Sequence, residues 1–109
     1  MYVCQWHLDI PFGTQSEAVR IMTAWGRDKV AHSEFRRARD IRLMSGHIGA
    51  SPSHLVDEYV FDSLADFEAA LAGMGSGPFR EHAKALAPLI IPGTQEWKVF
   101  RVLSPTPGA

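Results

Sequence analysis

Gln5, His7 and Asp9 follow one another at two-residue intervals in a stretch of aromatic and branched side chains. On an extended strand that interval turns all three toward one face, and an imidazole with an ordinary pKa near ~6.5 takes or gives a proton at neutral pH. Enolisation, cyclisation and quinol oxidation all need such a transfer, so His7 is the candidate general base. The competing reading is a structural histidine bonded to a neighbouring strand or across a subunit contact, since an unmatched polar group on a covered face costs about 1–3 kcal/mol. Glu58 lies in a second strand-like run expected to pair beside the first, where it would orient His7 or act as a second acid–base group. An ion pair with Lys98 or Arg101 is its competing reading. Asp57, one residue earlier, turns to the opposite face and is expected to be solvated.

Five further positions complete the candidate set for substrate binding. Gln5 shares the face of His7, Arg42 would clamp an anionic group, His47 flanks a turn together with His54, His82 falls in a helical segment, and Trp97 would line an aromatic pocket. The ordinary alternatives are a solvated arginine on an edge strand, a solvent-facing helical histidine and a core tryptophan.

Five histidines invite a metal reading. No two of them stand at the i, i+4 helical or His-x-His strand spacing that presents ligands together, and no carboxylate motif accompanies them, so a zinc or non-haem iron site is not expected. Cys4 is the single cysteine, which leaves no internal disulfide and fits a reducing compartment. Haem needs only one axial histidine, so spacing does not decide it; His82 is the best-placed candidate. The Gly73–Gly77 stretch lacks a preceding strand and a Lys-Ser/Thr ending, so it is no phosphate loop. No cofactor is expected.

The elements that must position these residues follow from pattern. Tyr2 to Asp9 reads as a strand stopped by Pro11 and Gly13. From Ser16 to about Ala31, the residues Ile21, Met22 and Trp25, with Ala18 and Lys29, recur at helical spacing. His32 to Arg39 reads as a frayed extension or loop anchored by Phe35. Ile41–Gly49 and Leu55–Phe61 form a hairpin, and Asp62 or Ser63 caps a second helix through Leu64, Phe67, Ala70 and Leu71. A shorter helix starts at Pro78, and Glu96 to Leu103 is the last strand. The order β-α-β-β-α-β is that of an α+β, ferredoxin-like domain with a four-stranded antiparallel sheet, expected over residues 1–104 with a flexible tail at 105–109.

Such a sheet covers one face with its helices and leaves the other bare. The bare face does not read as solvated: Val3, Gln5, His7 and Asp9 on the first strand and Val56, Glu58 and Val60 on the third mix apolar with polar, and the last strand is apolar on both sides. A second copy of the chain, docked sheet to sheet, is the expected cover. The strand order, the passage Glu58-Tyr59-Val60-Phe61-Asp62-Ser63-Leu64-Ala65-Asp66-Phe67-Glu68 and the closing Trp97-Lys98-Val99-Phe100-Arg101-Val102 resemble the dimeric α+β barrel superfamily. That resemblance covers nearly the whole chain. It implies two ferredoxin-like subunits packed into a barrel, with a pocket between sheet and helices or inside the barrel. Members include cofactor-free quinone-forming monooxygenases, muconolactone-isomerase-like enzymes, polyketide cyclases, haem-degrading monooxygenases and proteins without known activity. The His-rich phrase of the cyclases is missing, with only His82 near its place, and the haem-degrading constellation has no match here.

Eleven basic against twelve acidic residues in 109 leave no field to attract a phosphate backbone, so nucleic acid is not an expected partner. The longest apolar run, Leu86 to Ile91, is broken by Pro88 and falls short of a membrane span. The N-terminal residues do not read as a signal peptide. The expectation is a cytoplasmic homodimer that oxygenates or isomerises an aromatic or enolisable small molecule without metal or organic cofactor. The alternative is a non-catalytic ligand-binding or structural dimer.

Overall fold

Alternation along the first strand sorts its side chains between a helix layer and an open face. In the computed structural model, which describes residues 1–75 and 77–104, β1 (Tyr2–Asp9), β2 (Asp40–Ser45), β3 (His54–Phe61) and β4 (Glu96–Arg101) form one sheet. The order is β2-β3-β1-β4, with every neighbouring pair antiparallel. Helices α1 (Gln15–His32), α2 (Leu64–Ala72) and α3 (Arg80–Leu86) lie between the strands in sequence, completing the ferredoxin-like arrangement.

Burial of one helical stripe holds α1 to the sheet. Ala18, Ile21, Met22, Trp25 and Lys29 are its buried residues, spaced three and four apart as one face of a helix requires. From the sheet come Cys4, Trp6 and Leu8 of β1 and Leu55, Tyr59 and Phe61 of β3, each buried. One core cluster gathers Trp6, Leu8, Trp25, Leu55, Phe79 and Leu86; the other gathers Cys4, Phe35, Tyr59, Phe61 and Phe67; Trp97 packs against both.

The segment after α1 is more ordered than its polar sequence implies. Ser33 Oγ accepts the Phe35 amide and donates to the Lys29 carbonyl, which folds Glu34–Arg37 into a 3₁₀ turn and drives Phe35 to full burial. Ser63 caps α2 by accepting the Asp66 amide. Strand β2 ends at Ser45 rather than Gly49, because the chain doubles back: a Cβ on Gly46 would lie 2.0 Å from the Ser51 carbonyl oxygen. β4 ends at Arg101 rather than Leu103. The tail expected at 105–109 lies outside the described residues. Among the described residues, no helix is long and apolar enough to cross a membrane.

Candidate functional site

Register brings the polar residues of the open face into a row. Gln5 stands opposite Glu58, Asp9 opposite His54, and Arg42 opposite Glu58. Hydrogen bonds link them end to end: Asp9 Oδ1 to His54 Nδ1 at 2.7 Å, His54 Nε2 to His7 Nδ1 at 2.8 Å, His7 Nε2 to Gln5 Oε1 at 2.8 Å, Gln5 Nε2 to Glu58 Oε1 at 2.8 Å, and Arg42 Nε to Glu58 Oε2 at 2.5 Å. Lys98 pairs with Glu96 instead of Glu58. Burial by itself would raise the Glu58 carboxyl, but the hydrogen bonds from Arg42 and Gln5 and the Arg42 charge bring it below the usual carboxylate range.

Donor and acceptor rules fix the protons in this row. The ionised Glu58 accepts from the Gln5 amide nitrogen, which leaves Gln5 Oε1 for His7, so His7 Nε2 donates. Asp9 only accepts, so His54 Nδ1 donates. The contact between the two rings has room for one proton at most. A second proton would set two donors against each other. His7 is held below the ordinary imidazole pKa, by desolvation first and then by His54 and Lys98, with Glu96 opposing. Both of its ring nitrogens are engaged within the sheet face.

The helix side of the sheet holds a second polar group that the sequence reading placed elsewhere. Asp57, expected to be solvated, is only 7% exposed: its parity on β3 sets it between Leu55 and Tyr59, under α1. Its Oδ2 accepts the Tyr59 hydroxyl at 2.5 Å and faces Lys29 Nζ at 3.4 Å, while Lys29 Nζ also donates to the Tyr59 oxygen at 2.9 Å. Lys29 is 1% exposed. Its ammonium lies 4.5 Å from the Trp25 ring centroid and 5.2 Å from those of Phe35 and Tyr59, so aromatic faces help replace lost hydration. Burial pushes the Lys29 pKa down, opposed by the Asp57 charge and hydrogen bond. Burial and then the Asp57 charge push the Tyr59 hydroxyl far up, which keeps it a donor. Burial also lifts the Cys4 thiol to about 11, so it supplies no thiolate.

Asp57 reaches one boundary of a cleft of about 460 Å³ between α1 and β2. Met22, Val30, Ile41 and Leu43 give it apolar walls, Gly26 leaves room on the helix, and Arg27 and Arg42 also border it, the Arg42 guanidinium being paired with Glu58. A smaller cavity of about 330 Å³ lies among Trp6, Trp25, Leu71, Met74, Ala83 and Trp97. Among the described residues, no three His, Cys, Asp or Glu side chains come together as a metal site.

The structure thus unites Gln5, His7, Glu58 and Arg42, and Arg42 also borders the cleft. Glu58 touches His7 only through Gln5. His47 is exposed in the loop between β2 and β3, remote from that row in bonding terms. His82 bonds Asp28 of α1 at 2.6 Å and stacks on Trp25. Trp97 turns to the helix side, stacked on Trp6 at 6.4 Å. Lys29, Asp57 and Tyr59 were missed as a group. Asp57 sharing the parity of an otherwise apolar set was the available signal.

No protein-family profile matches the chain, and no curated protein does. Solved structures share the fold. A cofactor-independent oxygenase, SnoaB of Streptomyces nogalater, is 19% identical with a TM-score of 0.71, the alignment covering 97% of this chain and 96% of that one. A candidate antibiotic biosynthesis monooxygenase from Nitrosomonas europaea is 10% identical over 95% of this chain and 100% of its own, TM-score 0.70. A NIPSNAP family protein of unknown function from Agrobacterium tumefaciens is 16% identical over 96% and 92%, TM-score 0.74. The chain therefore has the ferredoxin-like α+β fold of these structures.

Proposed function

We propose that the chain is a small-molecule enzyme that oxygenates or isomerises an aromatic or enolisable substrate without metal or organic cofactor, as one subunit of a homodimer joined through the open sheet faces. The observation that carries the reading is the cleft beneath α1: its volume of about 460 Å³ falls in the range of small-molecule sites, and a few polar groups converge on largely apolar walls. The shared fold with SnoaB, a cofactor-independent oxygenase, is support by analogy. The open face supports the dimer, for it leaves Phe100 54% exposed beside the partly buried Val3, Val56 and Val60.

A general base at His7, oriented by Glu58 through Gln5, would serve a site on the open face rather than the cleft; of the expected substrate contacts Gln5, Arg42, His47, His82 and Trp97, Arg42 borders the cleft. For His7 to act, substrate must displace His54 or Gln5 from a ring nitrogen. That requirement favours the second reading, a non-catalytic ligand-binding or structural dimer, on one observation: both His7 nitrogens are satisfied.

Two measurements test the proposal. Light scattering at micromolar concentration should give about 24 kDa, twice the 12.1 kDa chain, as an isologous dimer requires; a folded monomer would overturn the assembly. Incubation with simple phenols and 1,3-dicarbonyl compounds, followed by oxygen uptake and product analysis with and without chelator, should give chelator-insensitive turnover. Binding without turnover across that set would favour the second reading.

A further inference from the structure

Asp57 has no assigned part in the reading above, yet it combines three properties that a proton acceptor needs. It borders the cleft. Its position is fixed, because the Tyr59 hydroxyl and the Lys29 ammonium both converge on Oδ2. Its other oxygen is available: Oδ1 has no protein donor among the described residues, and the one buried polar side-chain atom without a partner is Trp25 Nε1, so Oδ1 is not sealed off. The Lys29 and Tyr59 groups are themselves closed off from the cleft by burial, which makes them positioning residues.

We propose that Asp57 is the proton-accepting carboxylate of the cleft, held there by Lys29 and Tyr59, and that the cleft takes a compact, largely apolar molecule bearing an acidic O–H or a C–H beside a carbonyl. This rests on the reading that the cleft is the substrate site. In the step, the ligand O–H or C–H bond breaks, the proton passes to Asp57 Oδ1, and the electron pair stays on the ligand as a phenolate or enolate. Arg27, which borders the same cleft, offsets the new negative charge. Return of the proton to a different carbon completes an isomerisation, with no oxidant or reductant consumed.

The test compares two probes of similar shape, 4-nitrophenol and 4-nitrotoluene, at mildly acidic pH where the phenol keeps its proton. Wild type should bind the phenol at least about tenfold more tightly, since only the phenol donates a charge-assisted hydrogen bond. The double variant Lys29→Met/Asp57→Leu removes both buried charges together, a change such sites commonly tolerate; it should keep 4-nitrotoluene and lose the preference for phenol. Gly26→Leu fills the cleft from a position where a Cβ meets nothing within 4 Å, and should abolish binding of both probes. Equal binding of the probes by wild type, or a preference that survives in the double variant, overturns the role of Asp57 while leaving the cleft as a site. Binding of neither probe by wild type, or binding unaffected by Gly26→Leu, overturns the cleft itself and the inference with it.

Discussion

The two faces of the sheet carry hydrogen-bonded rows of similar chemistry under opposite conditions. On the helix side, Lys29 and Tyr59 are sealed, the Lys29 ammonium among Trp6, Trp25 and Phe35, and they hold Asp57 at the border of the cleft. On the open side, Asp9, His54, His7, Gln5, Glu58 and Arg42 run across three strands, with the Arg42 side chain 60% and the Asp9 side chain 42% exposed at the ends. Buried charges must be matched within the subunit, because no water remains to solvate a charge that loses its partner. A row lying in an uncovered face can exchange partners with solvent, ligand or a second subunit. The inner group is thus built to stay in place, and the outer row to respond to what covers it.

The strongest way to break this contrast is to strand the inner carboxylate. Lys29→Met alone should cost about 3–5 kcal/mol, as removal of one partner of a buried ion pair does, read by urea unfolding. The companion Lys29→Met/Asp57→Leu should recover most of that loss; a single variant as stable as wild type would mean the inner pair is not matched in the way described. On the outer face, His7→Gln cannot span both His54 and Gln5, so we expect a loss of about 1–3 kcal/mol in the same measurement. An unchanged midpoint would instead return His7 to the role of a free pocket base.

Acid sharpens the comparison further. The folded-state pKa of His7 lies below its ordinary value, so between the two values the unfolded chain binds more protons. Stability then rises with pH across that window and is lost as pH falls from about 6.5 toward the folded-state value. Thermal midpoints of wild type should decline on acidification there, and His7→Gln should flatten the slope. The smallest effect belongs to the partly exposed His82–Asp28 pair: His82→Ala should change stability by less than about 1 kcal/mol.

Strand order, the α1 stripe and the mixed character of the open face were legible because each is a matter of periodicity within one element. That Gln5, His7 and Asp9 share a face followed from the same rule. Their partners did not, since Glu58 meeting Arg42 rather than Lys98, and His54 bridging Asp9 to His7, depend on the register between strands. Asp57 is the instructive failure. Its parity with Leu55, Tyr59 and Phe61 placed it in an apolar set, but its charge pointed to solvent; the cation that resolves the conflict comes from α1, 28 residues away in sequence. Phe35 was visible as an anchor, whereas the Ser33 bonds that hold its turn closed are a matter of local geometry rather than pattern.

Whether small-molecule chemistry resides beneath α1 or on the open face is tested most directly by backbone amide NMR of ¹⁵N-labelled protein titrated with 4-nitrophenol. Saturable shifts should concentrate at Met22, Gly26, Val30, Ile41 and Leu43, the boundary of the cleft, and leave Val3, Gln5 and Val56 unmoved. Shifts centred on Gln5, His7 and Val56, with α1 silent, would contradict the assignment and place the site on the face that carries His7.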